Sequence, residues 1–107
     1  MSTFDDREKA EETRHARKEE IEFKANARRN KLLGLWAAQF LGLSGDEASA
    51  YAATVVKSDF EKPGDDDVFE KVRKDFDAKG VTQSDHQIRR QMEELLIEAR
   101  RQVTDGV

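Results

Sequence analysis

The chain has 107 residues, enough for one domain built on one modest core. Its apolar fraction is 36% and its charged fraction 39%, so either a thin core lies under a dense polar surface or a core carries a solvated tail. A net charge of -4 argues against nucleic acid as a partner, and the absence of cysteine removes disulfide frameworks and thiolate metal sites. No apolar run approaches the length of a membrane span, and the start Met1-Ser2-Thr3-Phe4-Asp5-Asp6-Arg7 has no apolar stretch behind it that would read as a secretory signal. A cytoplasmic protein is expected.

Residues 1–19 hold almost no core-forming side chains. Phe4 is followed by Asp5, Asp6, Arg7, Glu8, Lys9, Glu11, Glu12, Arg14 and His15, in which both signs of charge alternate. Glu, Lys, Arg and Ala favour a helix, but such a segment buries too little to offset its ordering entropy. It is expected to be a mobile arm, either a solvating end or a segment that folds on binding.

From Ile21 the pattern changes. Ile21, Phe23, Ala25, Ala27, Leu32, Leu33, Leu35, Trp36, Ala37, Phe40 and Leu41 predict a long helix, with Leu33, Trp36, Ala37, Phe40 and Leu41 as its tight stripe. Gly42 is placed to end it in the left-handed conformation. Ser44-Gly45-Asp46-Glu47 has the form of a capping box opening a second helix, whose face is Ala48, Tyr51, Ala52, Val55, Val56 and Phe60. Pro63-Gly64 ends that helix.

Asp65, Asp66 and Asp67 open a third helix, where carboxylates favour the positive end of the dipole. Its stripe is Val68, Phe69, Val72 and Phe76, and Gly80 terminates it. Ser84-Asp85-His86-Gln87 is a second capping box and starts a fourth helix with Ile88, Met92, Leu95, Leu96, Ala99 and Val103 facing inward. The side chains expected inside are Trp36, Phe40, Tyr51, Val55, Phe69, Val72, Phe76, Leu95 and Leu96. No segment alternates with period two. The fold class is all-α: a four-helix bundle over 20–107 with a mobile N-terminal arm over 1–19.

Chemistry-bearing residues are few. The acids at 65–67 lack the glycine and distal glutamate of a calcium loop, so they read as a helix start. His15 and His86 are far apart in sequence and suggest no shared metal or catalytic site. No nucleophile and base pair stands out, so the chain is not expected to be an enzyme, and no cofactor or metal is expected. The basic run Arg28-Arg29-Asn30-Lys31, with Arg89 and Arg90, is either a solvated face or a docking surface for acidic protein or phosphate.

Longer runs carry a resemblance. Thr3-Phe4-Asp5-Asp6-Arg7-Glu8, ARRNKLLGLWAA at Ala27–Ala38 and LGLSG at Leu41–Gly45 begin it. YAATVVKSDFE at Tyr51–Glu61, GDDDV at Gly64–Val68 and SDHQIRRQMEELL at Ser84–Leu96 continue it across nearly the whole chain. The chain resembles the zeta-type inhibitor subunit of the alphaproteobacterial F1F0-ATP synthase.

The resemblance implies a four-helix bundle whose arm becomes helical on entering a catalytic interface between the alpha and beta subunits of F1, beside the gamma subunit. It implies that Phe4, Asp5, Asp6, Arg7, Glu8, Lys9, Glu11, Glu12, Arg14 and His15 meet this partner. The wedge would block hydrolysis and spare synthesis, held by a protein that is a monomer when free and reaches the membrane only through F1. Where the family tends to carry aromatic residues this chain has Glu11 and His15. The competing reading is a nucleotide- or phosphate-sensing bundle, with ATP or ADP as its ligand, using Arg28, Arg29, Lys31, Arg89 and Arg90.

Overall fold

The structure, a computed structural model, describes residues 3–59 and 65–105, with side chains from residue 18 onward. Four helices follow one another: α1 (Thr3–Phe40), α2 (Gly45–Ser58), α3 (Asp66–Lys79) and α4 (Asp85–Asp105). The all-α four-helix architecture is as expected. One difference concerns α1, which crosses the expected boundary between residues 19 and 20 as a single uninterrupted helix. The expected mobility of the arm falls on residues whose side chains lie outside the described residues, as do Phe60 and the Pro63-Gly64 stop.

Helix ends largely follow the local chemistry. Gly42 has φ 75°, and the Leu43 N–H donates to the Ala38 carbonyl at 2.9 Å, closing α1 in the left-handed turn that a side chain would strain. The Val81 N–H bonds to the Phe76 carbonyl at 2.9 Å in the same way at the end of α3. At the start of α4 the capping box forms in full. The Gln87 N–H donates to Ser84 Oγ at 3.1 Å, and the Ser84 N–H donates to Gln87 Oε1 at 2.8 Å. The box expected at Ser44 does not form. Ser44 makes no side-chain cap, and the Glu47 and Ala48 N–H groups bond instead to its carbonyl.

Helix α1 is the spine. Its buried positions form two adjacent rows at spacing four: Ala25, Arg29, Leu33 and Ala37, then Asn30, Gly34 and Ala38. Leu33 and Ala37 join Val55 of α2, Val68, Val72 and Phe76 of α3, and Ile88 and Met92 of α4 in the main core. Ala25 closes a second cluster with Ala99 and Val103 of α4, supported by Ile21, Leu32 and Leu96. Each fully buried Leu, Ile, Val or Phe contributes about 1.5–3 kcal/mol of transfer free energy. Trp36, Phe40 and Phe76 form a ring cluster with centroids 5.1–5.8 Å apart, Phe40 edge to face with each of the other two and Trp36 tilted against Phe76.

One aromatic expectation is corrected. Phe40 is 41% exposed, because at the last position of α1 its ring lies over Trp36 and Phe76 as a cover. Phe23 is 68% exposed, two residues ahead of the inward-facing Ala25 and off its row. Val55, Val72 and Phe76 are buried as expected, whereas Trp36, Tyr51, Phe69, Leu95 and Leu96 are half-buried. Tyr51 bridges α2 and α3 with its part-buried hydroxyl, which donates to Asp75 Oδ2 at 2.8 Å beside the Lys71 ammonium. Burial first, then the bond to Asp75 and its negative charge, push that phenol above its usual range.

The α1–α2 distance is set by Gly34. A Cβ there would stand 2.5 Å from Ala52 Cα and 3.0 Å from Ala52 Cβ. Backbone cannot yield as a side-chain end can, so α2 would have to move. Alanine gains about 1 kcal/mol of helix propensity at such a site, but overpacking against backbone typically costs about 1–3 kcal/mol. Gly34→Ala is therefore expected to lower stability by about 1 kcal/mol or more in urea unfolding followed through the single tryptophan. A variant more stable than the parent would mean that the two backbones are not in contact.

Candidate functional site

The start of α3 is the most densely charged place in the bundle. Carboxylates belong there because the first-turn N–H groups and the helix dipole favour negative charge. The Asp65 side chain does not cap its own helix; it and Asp66 reach to other helices instead. Asp65 Oδ1 accepts from Arg29 of α1 at 2.7 Å, and Asp66 Oδ1 accepts from Arg89 of α4 at 3.0 Å. The Arg89 guanidinium also lies over the Phe69 ring, 3.9 Å from its centroid.

Arg29 is 1% exposed. It belongs to the interior rather than to a solvated face, with its Nε donating to Asn30 Oδ1 at 2.7 Å. Asn30 is equally buried, and its Nδ2 has no partner. Beside this pair is a cavity of about 120 Å³ lined by Arg29, Asp65, Arg89, Met92, Glu93 and Leu96.

The five cations read from the sequence as one surface are thus divided among three places. Arg29 and Arg89 meet at α3. Arg90 pairs with Glu94 one turn along α4, at 3.1 Å. Arg28 and Lys31 face a groove of about 600 Å³ between α1 and the last turns of α4, floored by Ala27, Leu32, Leu35 and Val103. Arg28 donates to the neutral Gln102 Oε1 at 3.1 Å, and Gln102 in turn donates to Glu98 at 3.0 Å. Hydrogen bonds from Arg101 and then Gln102 hold the Glu98 carboxyl down at about 2, aided by the Arg101 charge.

Sequence reasoning missed Phe23, Lys24 and Gln102 as groove residues. Helical register alone could have placed Phe23, Ala27, Lys31 and Leu35 together at successive spacings of four. The arm residues Phe4, Asp5, Asp6, Arg7, Glu8, Lys9, Glu11, Glu12, Arg14 and His15 have side chains outside the described residues. His86 is exposed in the first turn of α4. Among the described residues no cluster of His, Cys, Asp or Glu is placed to share a metal ion.

The Arg29–Asp65 pair is asymmetric, because Arg29 is sealed in whereas the Asp65 side chain is about half exposed. Asp65→Ala strands a buried guanidinium and is expected to cost about 3 kcal/mol, toward the lower end for a broken buried pair because the cavity beside it can admit water. Arg29→Met leaves Asp65 free to hydrate and strands only the Asn30 carbonyl, at about 1–3 kcal/mol. Chemical denaturation of both variants checks the order. A larger loss for Arg29→Met would place the energetic weight on the arginine's packing instead of its charge.

Comparison with known proteins follows from this geometry. One solved structure, described as a solution NMR structure, is 50% identical, covers 81% of this chain and 99% of that one, and superimposes with a TM-score of 0.72. No curated protein matches the chain. The family model described as ATPase inhibitor subunit zeta matches residues 1–102, arm and bundle alike. The chain belongs to the ATPase inhibitor subunit zeta family.

Proposed function

We propose that this protein is a regulatory, non-catalytic subunit that stops ATP hydrolysis by F1 and leaves synthesis running. Residues 1–19 form the wedge, entering between an alpha and a beta subunit beside gamma. The bundle over residues 20–107 is the handle, monomeric when free and held on the cytoplasmic side through F1.

The observation that carries the reading is that the family match includes the arm, while α1 joins the arm to the bundle as one helix. The described contacts of α1 with α4 begin around Ile21 and Glu22, where Arg100 holds Glu22 through two hydrogen bonds. N-terminal to this, the chain has little apolar surface to bury on its own bundle. A helix anchored in its bundle at one end, with little apolar surface in the sequence of the other, suits insertion into a foreign groove. Rotation in one direction would drive such a wedge home, and the opposite rotation would open the interface and expel it.

A nucleotide-sensing role is the second reading, favoured by the cavity beside Arg29 and Arg89. A phosphate entering there must displace Asp65 or Asp66 from its arginine. Adding ATP or ADP should then shift the guanidinium resonances of Arg29 and Arg89, and unchanged resonances would dismiss this reading.

The inhibitor reading is tested by titrating the full chain and a variant lacking residues 1–19 into F1. The shortened chain is expected to keep its cooperative unfolding, because no described core residue precedes Ile21. It is expected to lose inhibition of hydrolysis, whereas the full chain inhibits hydrolysis and leaves synthesis unaffected. Equal inhibition by both chains would remove the arm as the wedge.

A further inference from the structure

The arginines of the bundle are matched to carboxylates with one exception. Arg29 meets Asp65, Arg73 meets Asp77 and Asp85, Arg89 meets Asp66, Arg90 meets Glu94, Arg100 meets Glu22, and Arg101 meets Glu98 and Asp105. Among the described residues Arg28 alone meets no carboxylate, its one recorded bond being to the neutral Gln102. Lys31, one turn on, has no recorded ionic partner either. Lys57, Lys74 and Lys79 are also outside the described ion pairs, so the distinguishing feature is the unpaired guanidinium of Arg28 with an ammonium one turn away on the same helix.

The surroundings sharpen this. The α1–α4 groove is lined by Arg28, Lys31 and Lys24, the last paired with Glu20 at 2.9 Å, and its lining among the described residues holds no carboxylate. The hollow between α2 and α3 also carries lysines, but Asp67 and Glu70 stand among them. The cavity beside Arg29 contains Asp65 and Glu93. Among the described residues the α1–α4 groove combines unpaired positive charge, on Arg28 and Lys31, with an apolar floor, and Phe23, 68% exposed, stands at its edge.

We infer that this groove is a docking site for an acidic helical segment of the ATPase, one that sets an apolar side chain between Leu32, Leu35 and Val103 and brings carboxylates to Arg28 and Lys31. The inference rests on the inhibitor reading and names a second contact for it, on the bundle and separate from the arm. A trough between two helices fits the side of a third, as in helix-in-groove recognition. Two unpaired cations over an apolar floor fit one amphipathic acidic helix better than a membrane surface, where the neighbouring Glu20 and Glu22 would be repelled. A second copy of this chain lacks the complementary charge, because the same face of both copies would present the same cations.

Inhibition of F1 hydrolysis by the full-length chain tests the site, with Arg28→Glu/Lys31→Glu as the variant and Lys57→Glu/Lys74→Glu on α2 and α3 as a charge-matched control. Both altered positions of the variant are exposed, and thermal unfolding checks that the bundle is intact. The double reversal is expected to raise the half-inhibitory concentration about tenfold or more and to flatten its dependence on salt, while the control matches wild type. A photo-crosslinking residue in place of Phe23 is expected to capture an Asp- and Glu-rich peptide of the ATPase. Inhibition unchanged by the double reversal, or capture of a peptide without acids, overturns the groove and leaves the arm reading standing. Failure of the wild-type chain to inhibit overturns the arm reading and the groove together.

Discussion

A guanidinium with almost no solvent exposure must be answered by a carboxylate, and in this bundle that demand falls on Arg29. The arginine sits in the middle of a row that is otherwise apolar, between Ala25 and Leu33. Its partner, Asp65, lies just ahead of α3 in sequence, so satisfying the charge brings the start of that helix against the middle of α1. Asp66 then takes Arg89 from α4, and Phe69 slides beneath the same guanidinium. Three helices are therefore held at one point by charge. The apolar stripes of α3 and α4 close over Leu33 and Ala37 on one side of that point. Ala25, Ala99 and Val103 close on the other.

The contact of α1 with α2 obeys a different rule. Where α3 is held by attraction between charges, α2 is held by the lack of a side chain at Gly34, which lets Ala52 come to backbone contact. Dispersion rises steeply at such distances, so two small residues achieve a fit that bulkier ones would forbid. The spine thus carries two kinds of specification on neighbouring rows, one polar and one steric. Both act at single residues, and neither resembles an ordinary hydrophobic stripe.

This explains what could be read from the sequence. The stripes of α3 and α4 were legible because Val68, Val72 and Phe76, and likewise Ile88, Met92, Ala99 and Val103, repeat at helical spacing with charges between them. Gly42 and the Ser84–Gln87 box were legible because their bonds are local. Arg29 and Asn30 were not, since a run of four polar residues looks solvated until a neighbouring helix fixes which two turn inward. Phe40 misled in the opposite sense, because an aromatic residue draws no distinction between core and rim without its register. Ser44 has the right residue type in an extended N-cap conformation, yet its carbonyl takes the amides that its hydroxyl was expected to take. The groove was out of reach for another reason: Gln102 and Arg28 are 74 positions apart and meet only in the folded bundle.

The continuity of α1 has a mechanical meaning. A helix turns about 100° and advances about 1.5 Å with each residue, so every side chain along it shares one angular frame. Along a continuous 38-residue helix the azimuth of the arm is geared to that of the groove. One residue added near position 19 would swing the arm by about a quarter turn relative to Arg28 and Lys31 while moving it hardly at all along the axis. Seven added residues would carry it about 10 Å further out and return it to within about 20° of its first direction. Reach and aim are consequently separate quantities in this molecule, and the spacing between arm and bundle must satisfy both.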